Sequence, residues 1–196
     1  MGKRLFLAVD IDRATREQIG RISAGLRKTL ERYTRASWVH PDRMHLTLQF
    51  FGSADAALEK RMRDALARPV AEPAFNVLFD GLGLFPERGS PRVLWLGVGD
   101  GVAALGRLRE AFVVRDSRRG FARHAEESFS PHLTLARLRD RVPRAEIAET
   151  VDIRASAGPS RIDRVTLYES RLSSAGPTYL PLAEALLTCP PTRSSP

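Results

Sequence analysis

The sequence predicts an α+β protein built as two pseudo-symmetric lobes, each a small, mostly antiparallel sheet with helices outside and a cleft between them. Three observations carry this expectation. Short apolar runs of strand length alternate with longer segments whose apolar residues recur at helical spacing. The order strand, helix, strand occurs in each half of the chain. The second strand of each set opens with the same four residues, H-L-T-L, at His45–Leu48 and at His132–Leu135.

The elements follow in order. Arg4–Ile11 (RLFLAVDI) is an apolar run that reads as a buried strand. Asp12 can cap a helix over residues 13–31, where Ile19, Ile22, Leu26 and Leu30 fall on one face. A polar turn containing Pro41 leads to a strand over His45–Phe51, which Gly52 is expected to close. A helix over 54–68 follows. Phe75–Phe85 then gives one or two strands, with Gly81 and Gly83 marking a bend or bulge. Arg92–Val98 (RVLWLGV) opens the second set as a buried strand. A helix over 101–115 places Leu105, Leu108 and Phe112 on one face, and a basic loop (RDSRRGFARHAEES) leads to the strand His132–Leu138. A short helix over 144–151 precedes the strand Arg164–Ser170, and Tyr179–Leu187 reads as an edge strand. Residues 1–188 are expected to form one bilobal domain and residues 189–196 (CPPTRSSP) a disordered tail. The repeated order reads as a duplication that gives two lobes related by a pseudo-twofold axis.

Composition narrows the partners. The 196 residues suffice for a core without staples. At 43% hydrophobic and 28% charged they fit a globular protein rather than a disordered one. The net charge of +8 comes from 31 Lys and Arg against 23 Asp and Glu, and attracts polyanions. Lysine occurs only at Lys3, Lys28 and Lys60, so the excess is almost wholly arginine, as a GC-rich genome would also give. The one cysteine, Cys189, fits a reducing compartment. The apolar run near the start is too short for a signal peptide, and no stretch approaches the roughly 18 apolar residues of a membrane span. A cytoplasmic monomer is expected.

The chemistry sits in the paired motifs. Alternate side chains of a strand share a face. His45 and Thr47 therefore point one way while Leu46 and Leu48 point the other, and His132 and Thr134 stand likewise against Leu133 and Leu135. Two such strands across a cleft present two imidazoles and two hydroxyls to one small anion. Phosphodiester hydrolysis needs a base for water and an acid for the leaving alkoxide, and histidine can be either near neutral pH. Hydroxyls can donate to the non-bridging oxygens, where charge gathers. One such motif is weak evidence, because a strand histidine is commonly structural; two copies at matching places of a repeat are much stronger.

Other chemistries find no residues. An ATP-dependent ligase needs a lysine in a K-x-D/N-G setting, and the residues after Lys3, Lys28 and Lys60 do not provide one. There is no G-x-x-x-x-G-K-S/T phosphate loop. Cys189 lacks an arginine loop, and no His/Cys/carboxylate cluster suggests zinc.

With M-H-L-T-L-Q-F at 44–50 and F-S-P-H-L-T-L-A-R at 129–137, the chain resembles the 2H phosphoesterase superfamily. Within it, the chain resembles the RNA 2′,3′-cyclic phosphodiesterases once called 2′-5′ RNA ligases. The resemblance runs from RLFLAVD to LYESRLSSAGPTY, nearly the whole chain. It implies hydrolysis of a 2′,3′-cyclic phosphate on RNA to a 2′-phosphate without metal or other cofactor, and in some members reversible 2′-5′ joining in vitro. It implies His45, Thr47, His132 and Thr134 as catalytic residues. It also implies that Phe50 stacks on a nucleobase and that Arg137 binds phosphate. Both residue types suit those tasks, but an offset of five from each histidine puts them on the opposite strand face, so a bulge or strand end is needed near each. A base stacked on Phe50 would put the nucleoside near the first lobe, making His45 the acid and His132 the base. Trp38 reads as core or as a further base contact, His40 and His124 as loop bystanders, and the loop 115–124 as a guide for RNA or a solvated loop. The rival readings are an RNA-binding module without catalysis and an enzyme for small cyclic nucleotides or a non-RNA phosphodiester.

Overall fold

The computed structural model describes residues 2–112, 129–173 and 176–188. The expectations for the basic loop with His124, and for the tail with Cys189, fall outside these residues. Strand β1 (Lys3–Asp10) has five consecutive buried residues at its centre, as the apolar run requires. Helix α1 (Arg13–Leu30) begins at Asp12, whose carboxylate accepts a hydrogen bond from the Thr15 backbone N–H at 2.8 Å. Ile19, Leu26 and Leu30 are buried and Ile22 partly so, along the predicted face. Then come β2 (Ala36–Trp38), a tight turn at Pro41–Arg43, β3 (His45–Ala54), α2 (Ala56–Leu66) and β4 (Phe75–Phe85). The second set is β5 (Val93–Asp100), α3 (Val102–Phe112) and β6 (His132–Leu138). A short helical passage, Arg144–Ile147 then Ala148–Val151, leads to β7 (Ser156–Ile162), β8 (Arg164–Ser173) and β9 (Gly176–Leu186).

The strands form two antiparallel sheets, ordered β3-β1-β8-β9 and β2-β6-β5-β4-β7. The repeat is present, since β1 pairs with β3 as β5 pairs with β6. The lobes are not simply the halves of the chain, however. β4, from the first half, joins the second sheet beside β5, while β8, from the second half, joins the first sheet beside β1. One cluster of buried side chains runs through both sheets, with Leu5, Leu7 and Val9 of β1 in it together with Leu94 and Leu96 of β5.

One local reading is corrected, and two strands fall where the sequence reading assigns none. Gly52 does not close its strand: it has a φ of 65° beside a bulge, and β3 continues to Ala54. β2 is only three residues long. β7 carries Gly158 and Pro159 and forms the edge of the second sheet, the place where a proline costs no ladder bond. β7 also anchors α1. The Gly158 N–H donates to Gln18 Oε1 at 2.9 Å and the Asp12 N–H donates to Ser160 Oγ at 2.9 Å. Burial works against the Asp12 carboxylate, but hydrogen bonds from Thr15, Ser160 and Arg161 outweigh it and hold the group below its ordinary range.

β4 stays one strand through its glycines. Gly83 lies opposite Trp95 of β5, and a Cβ there would stand 2.0 Å from the Trp95 ring. A Gly83→Ala substitution therefore has to push the indole away. It is expected to destabilise the fold by about 1–3 kcal/mol, the usual scale of overpacking. Denaturant unfolding followed by tryptophan emission checks this; an unchanged midpoint would mean that the indole moves freely.

Candidate active site

The two sheets approach each other along β3 and β6, the strands that carry the motifs. At the start of each, the histidine is clamped the same way. The His45 Nδ1 is 2.8 Å from the Arg43 carbonyl oxygen, and the His132 Nδ1 is 2.9 Å from that of Ser130. A carbonyl only accepts, so each Nδ1 carries its proton and donates it. That fixes each neutral imidazole in the tautomer whose Nε2 is free, and it restrains the rotation of the ring. Both histidines line one cleft of about 650 Å³, together with Thr47, Thr134 and Arg137.

The offset-of-five difficulty is resolved by a matched pair of bulges. Against β1, Ala8 pairs with Thr47 and Leu7 with Gln49, so Leu48 has no partner. Against β5, Trp95 pairs with Thr134 and Leu94 with Ala136, so Leu135 has none. Each skipped leucine is the third residue after its histidine. The extra residue reverses the alternation beyond it. Leu48 and Gln49 are consecutively buried, as are Leu135 and Ala136. Phe50 and Arg137 consequently emerge on the same side as the histidines and threonines. Arg137 reaches the cleft. Phe50 is 40% exposed with the Arg4 guanidinium 5.4 Å over its ring, and it is not among the residues lining the cleft.

The aromatic side chains that do line the cleft are Trp38 and Tyr179. Trp38, on the edge strand β2 beside Ala136 of β6, packs partly on the core, and its ring lies under the Arg27 guanidinium at 5.4 Å. His40 also lines the cleft instead of standing aside, 3.3 Å from the Asp42 carboxylate. Sequence reasoning missed Arg43, Arg139 and Tyr179. The two arginines carried a faint signal, each two residues from an assigned group, Arg43 in the turn before β3 and Arg139 just past the end of β6. Tyr179 carried none, because only the pairing of β8 with β9 brings it to the first lobe.

The two imidazoles have unequal surroundings. His45 stacks on Phe6 at 4.9 Å, and the edge of Tyr179 meets it at 5.1 Å. Phe6 stacks in turn on Tyr168 at 5.3 Å, and the Tyr168 hydroxyl donates to Asp10 Oδ2 at 2.7 Å. Burial, followed by that Asp10 hydrogen bond, pushes the Tyr168 phenol well above its ordinary range. Burial also lowers the His45 pKa, against the Arg43 carbonyl and the Asp10 charge, which favour the cation; Arg137 and Arg16 add to the lowering. His132 meets Phe85 edge-on at 4.9 Å and the tilted Trp95 ring at 6.0 Å.

Among the described residues no group of three or more His, Cys, Asp or Glu could hold a metal ion, and no helix is long and apolar enough to cross a membrane. Two H-x-T-x strands facing each other across a cleft between antiparallel sheets define a 2H phosphoesterase. Residues 11–173 match the 2′-5′ RNA ligase superfamily, and the chain belongs to that family. It is 33% identical over 183 residues to the RNA 2′,3′-cyclic phosphodiesterase of Thermotoga maritima, covering 92% of this chain and 94% of the relative. It is 31% identical over 186 residues to that of Escherichia coli, covering 95% and 97%. Among solved structures, TT0787 of Thermus thermophilus superposes with a TM-score of 0.70 at 26% identity over 95% of this chain and 98% of that one. E. coli LigT complexed with 3′-AMP superposes with a TM-score of 0.69 at 29% identity, over 96% and 99%.

The lowered basicity of His45 gives a direct expectation. Its ring should titrate below about 6.5, the ordinary imidazole value, in the free protein, and the value should rise when inorganic phosphate fills the cleft. Proton NMR of the ring, assigned with a His45→Gln variant, reads both. A free-state value above about 6.5 would overturn the burial account.

Proposed function

We propose that this cleft opens 2′,3′-cyclic phosphate ends of RNA to 2′-phosphate ends, with His45 and His132 as its acid–base pair. One observation carries the assignment of residues: both imidazoles have Nδ1 committed to a backbone carbonyl, so two Nε2 atoms are left for a single cleft. Water attacks phosphorus, and the neutral imidazole accepts its proton at Nε2. The bond from phosphorus to the 3′-oxygen breaks, and the protonated imidazole supplies that oxygen with a proton. The Thr47 and Thr134 hydroxyls and the Arg137 guanidinium hold the non-bridging oxygens, where the charge of the transition state gathers. If the 5′-hydroxyl of another strand replaces water, the same steps join the strands through a 2′-5′ linkage.

The names of the relatives support the RNA cyclic phosphate as substrate. LigT, solved with 3′-AMP and with phosphate, supports a cleft suited to ribonucleotide phosphate groups. A binding module has no need of two imidazoles in matched tautomers, which argues against the non-catalytic reading. We read residues 1–188 as one bilobal domain, because one cluster of buried side chains runs through both sheets, and take it to act as a cytoplasmic monomer. Phe50 stands exposed on the same face as the histidines, beside the lined cleft; the assignment of His45 as acid and His132 as base is therefore put to the nature of the leaving group.

The deciding experiment incubates the protein with RNA ending in a 2′,3′-cyclic phosphate, in excess EDTA, and identifies the product by phosphorus NMR. A 2′-phosphate is expected, with no need of a divalent ion. A 3′-phosphate, or activity only on adding metal, would contradict the reading.

His45→Ala and His132→Ala should each lower turnover by about 10²-fold or more with the fold intact. On an activated aryl phosphodiester, whose leaving group needs no proton, one of the two should regain most of its activity and the other should not. Recovery of both variants, or of neither, would refute paired acid–base catalysis.

A further inference from the structure

Beyond the cleft, the exit of β6 is lined with arginines that the reaction does not use. Arg139 lines the cleft itself, and its Nε donates to Ser37 Oγ at 2.7 Å. Two residues further on, Arg141 lines a second groove of about 660 Å³ with Arg88 and Arg144. The floor of that groove is built: Ser90 Oγ donates to the Val142 carbonyl oxygen and accepts from the Val142 N–H, both at 3.2 Å, and Arg144 donates to the Pro86 carbonyl oxygen. Asp140, between the two arginines, is committed to Arg35 at 2.7 Å, and that guanidinium holds its carboxyl down at about 2. Glu87 is the one carboxylate lining the groove among the described residues. Among those residues, too, Arg88, Arg139 and Arg141 have no carboxylate partner.

A cyclic phosphate is by nature a 3′ end, so the rest of the strand has to leave the cleft from its 5′ side. We propose that the groove at the exit of β6 is the track for this upstream strand, with Arg139, Arg141 and Arg88 each taking a backbone phosphate. The proposal rests on the cleft being where the cyclic end reacts. It makes the enzyme selective for oligonucleotide ends over cyclic mononucleotides, through charge and without reading sequence.

The test uses Arg88→Gln with Arg141→Gln, and Arg88→Gln alone, all well outside the reacting groups. The probes are cytidine 2′,3′-cyclic phosphate, an octaribonucleotide ending in a 2′,3′-cyclic phosphate, and the same octamer, labelled, ending in a 2′-phosphate. Anisotropy with the labelled octamer should show the double variant binding about tenfold more weakly. Its dependence of log affinity on log salt should be shallower by about 1.4, since each phosphate that a protein neutralises on a single strand adds about 0.7 to that slope. The single variant should show about half that change in slope. kcat/KM should fall similarly on the cyclic octamer and stay within about twofold on the mononucleotide. Unchanged affinity and slope, or equal losses on both substrates, would overturn the track. Wild-type protein that turns over neither substrate would instead refute the cleft's assigned chemistry, while the anisotropy arm still reads the track.

Discussion

The arrangement of the cleft depends on one constraint, the parity of two strands. Side chains on a strand alternate with a period of two, so a histidine and the residue five places after it face opposite ways unless the count is broken. Between those two positions it is broken once in each lobe, at Leu48 and at Leu135, and at the same offset. Before the break, leucines go to the core while histidine and threonine go to the cleft. After it, Gln49 and Ala136 turn inward, and Phe50 and Arg137 turn out. Moving the bulge by one residue in either strand would put a different set of side chains over the cleft. The carbonyl clamps on the two imidazoles act on top of this phase: they orient rings that the strands have already brought together.

The two motifs are alike, but the pockets behind them are not. His45 is backed by Phe6, with Tyr179 at its edge and Asp10 bound to Tyr168 nearby. His132 is backed by Phe85 and Trp95, the latter seated over Gly83. A site whose two halves were identical would give its imidazoles the same basicity, whereas opening a phosphodiester needs one group that holds a proton and one that lacks it. The asymmetry in packing is one way in which a duplicated scaffold can meet that need.

Much of this was legible in the residues. The H-L-T-L alternation separated core from cleft correctly, and Asp12, Leu105, Leu108 and Phe112 stand where their spacing put them. The bulges were required by argument yet had no local marker, because both skipped residues are leucines rather than glycine or proline. β2 is too short to show a period, and β7 hides behind Gly158 and Pro159. The exchange of β4 and β8 between sheets is a long-range choice on which local pattern has no hold. It also explains why Tyr179, from near the end of the chain, stands beside His45.

That exchange has a consequence for how the protein comes to be folded. β1 is an interior strand of its sheet, with β3 on one side and β8 on the other. β3 follows it closely in the chain, but the first residue of β8 is Arg164. While the chain is being made, the row of N–H and C=O groups on the far side of β1 waits unpaired until β8, more than 150 residues later, has left the ribosome. Contacts so distant in sequence close slowly, and an open strand edge invites pairing with other chains in the meantime. The strand that underlies His45 is thus completed only long after it is made, so its open edge is a liability of synthesis, before the cleft exists.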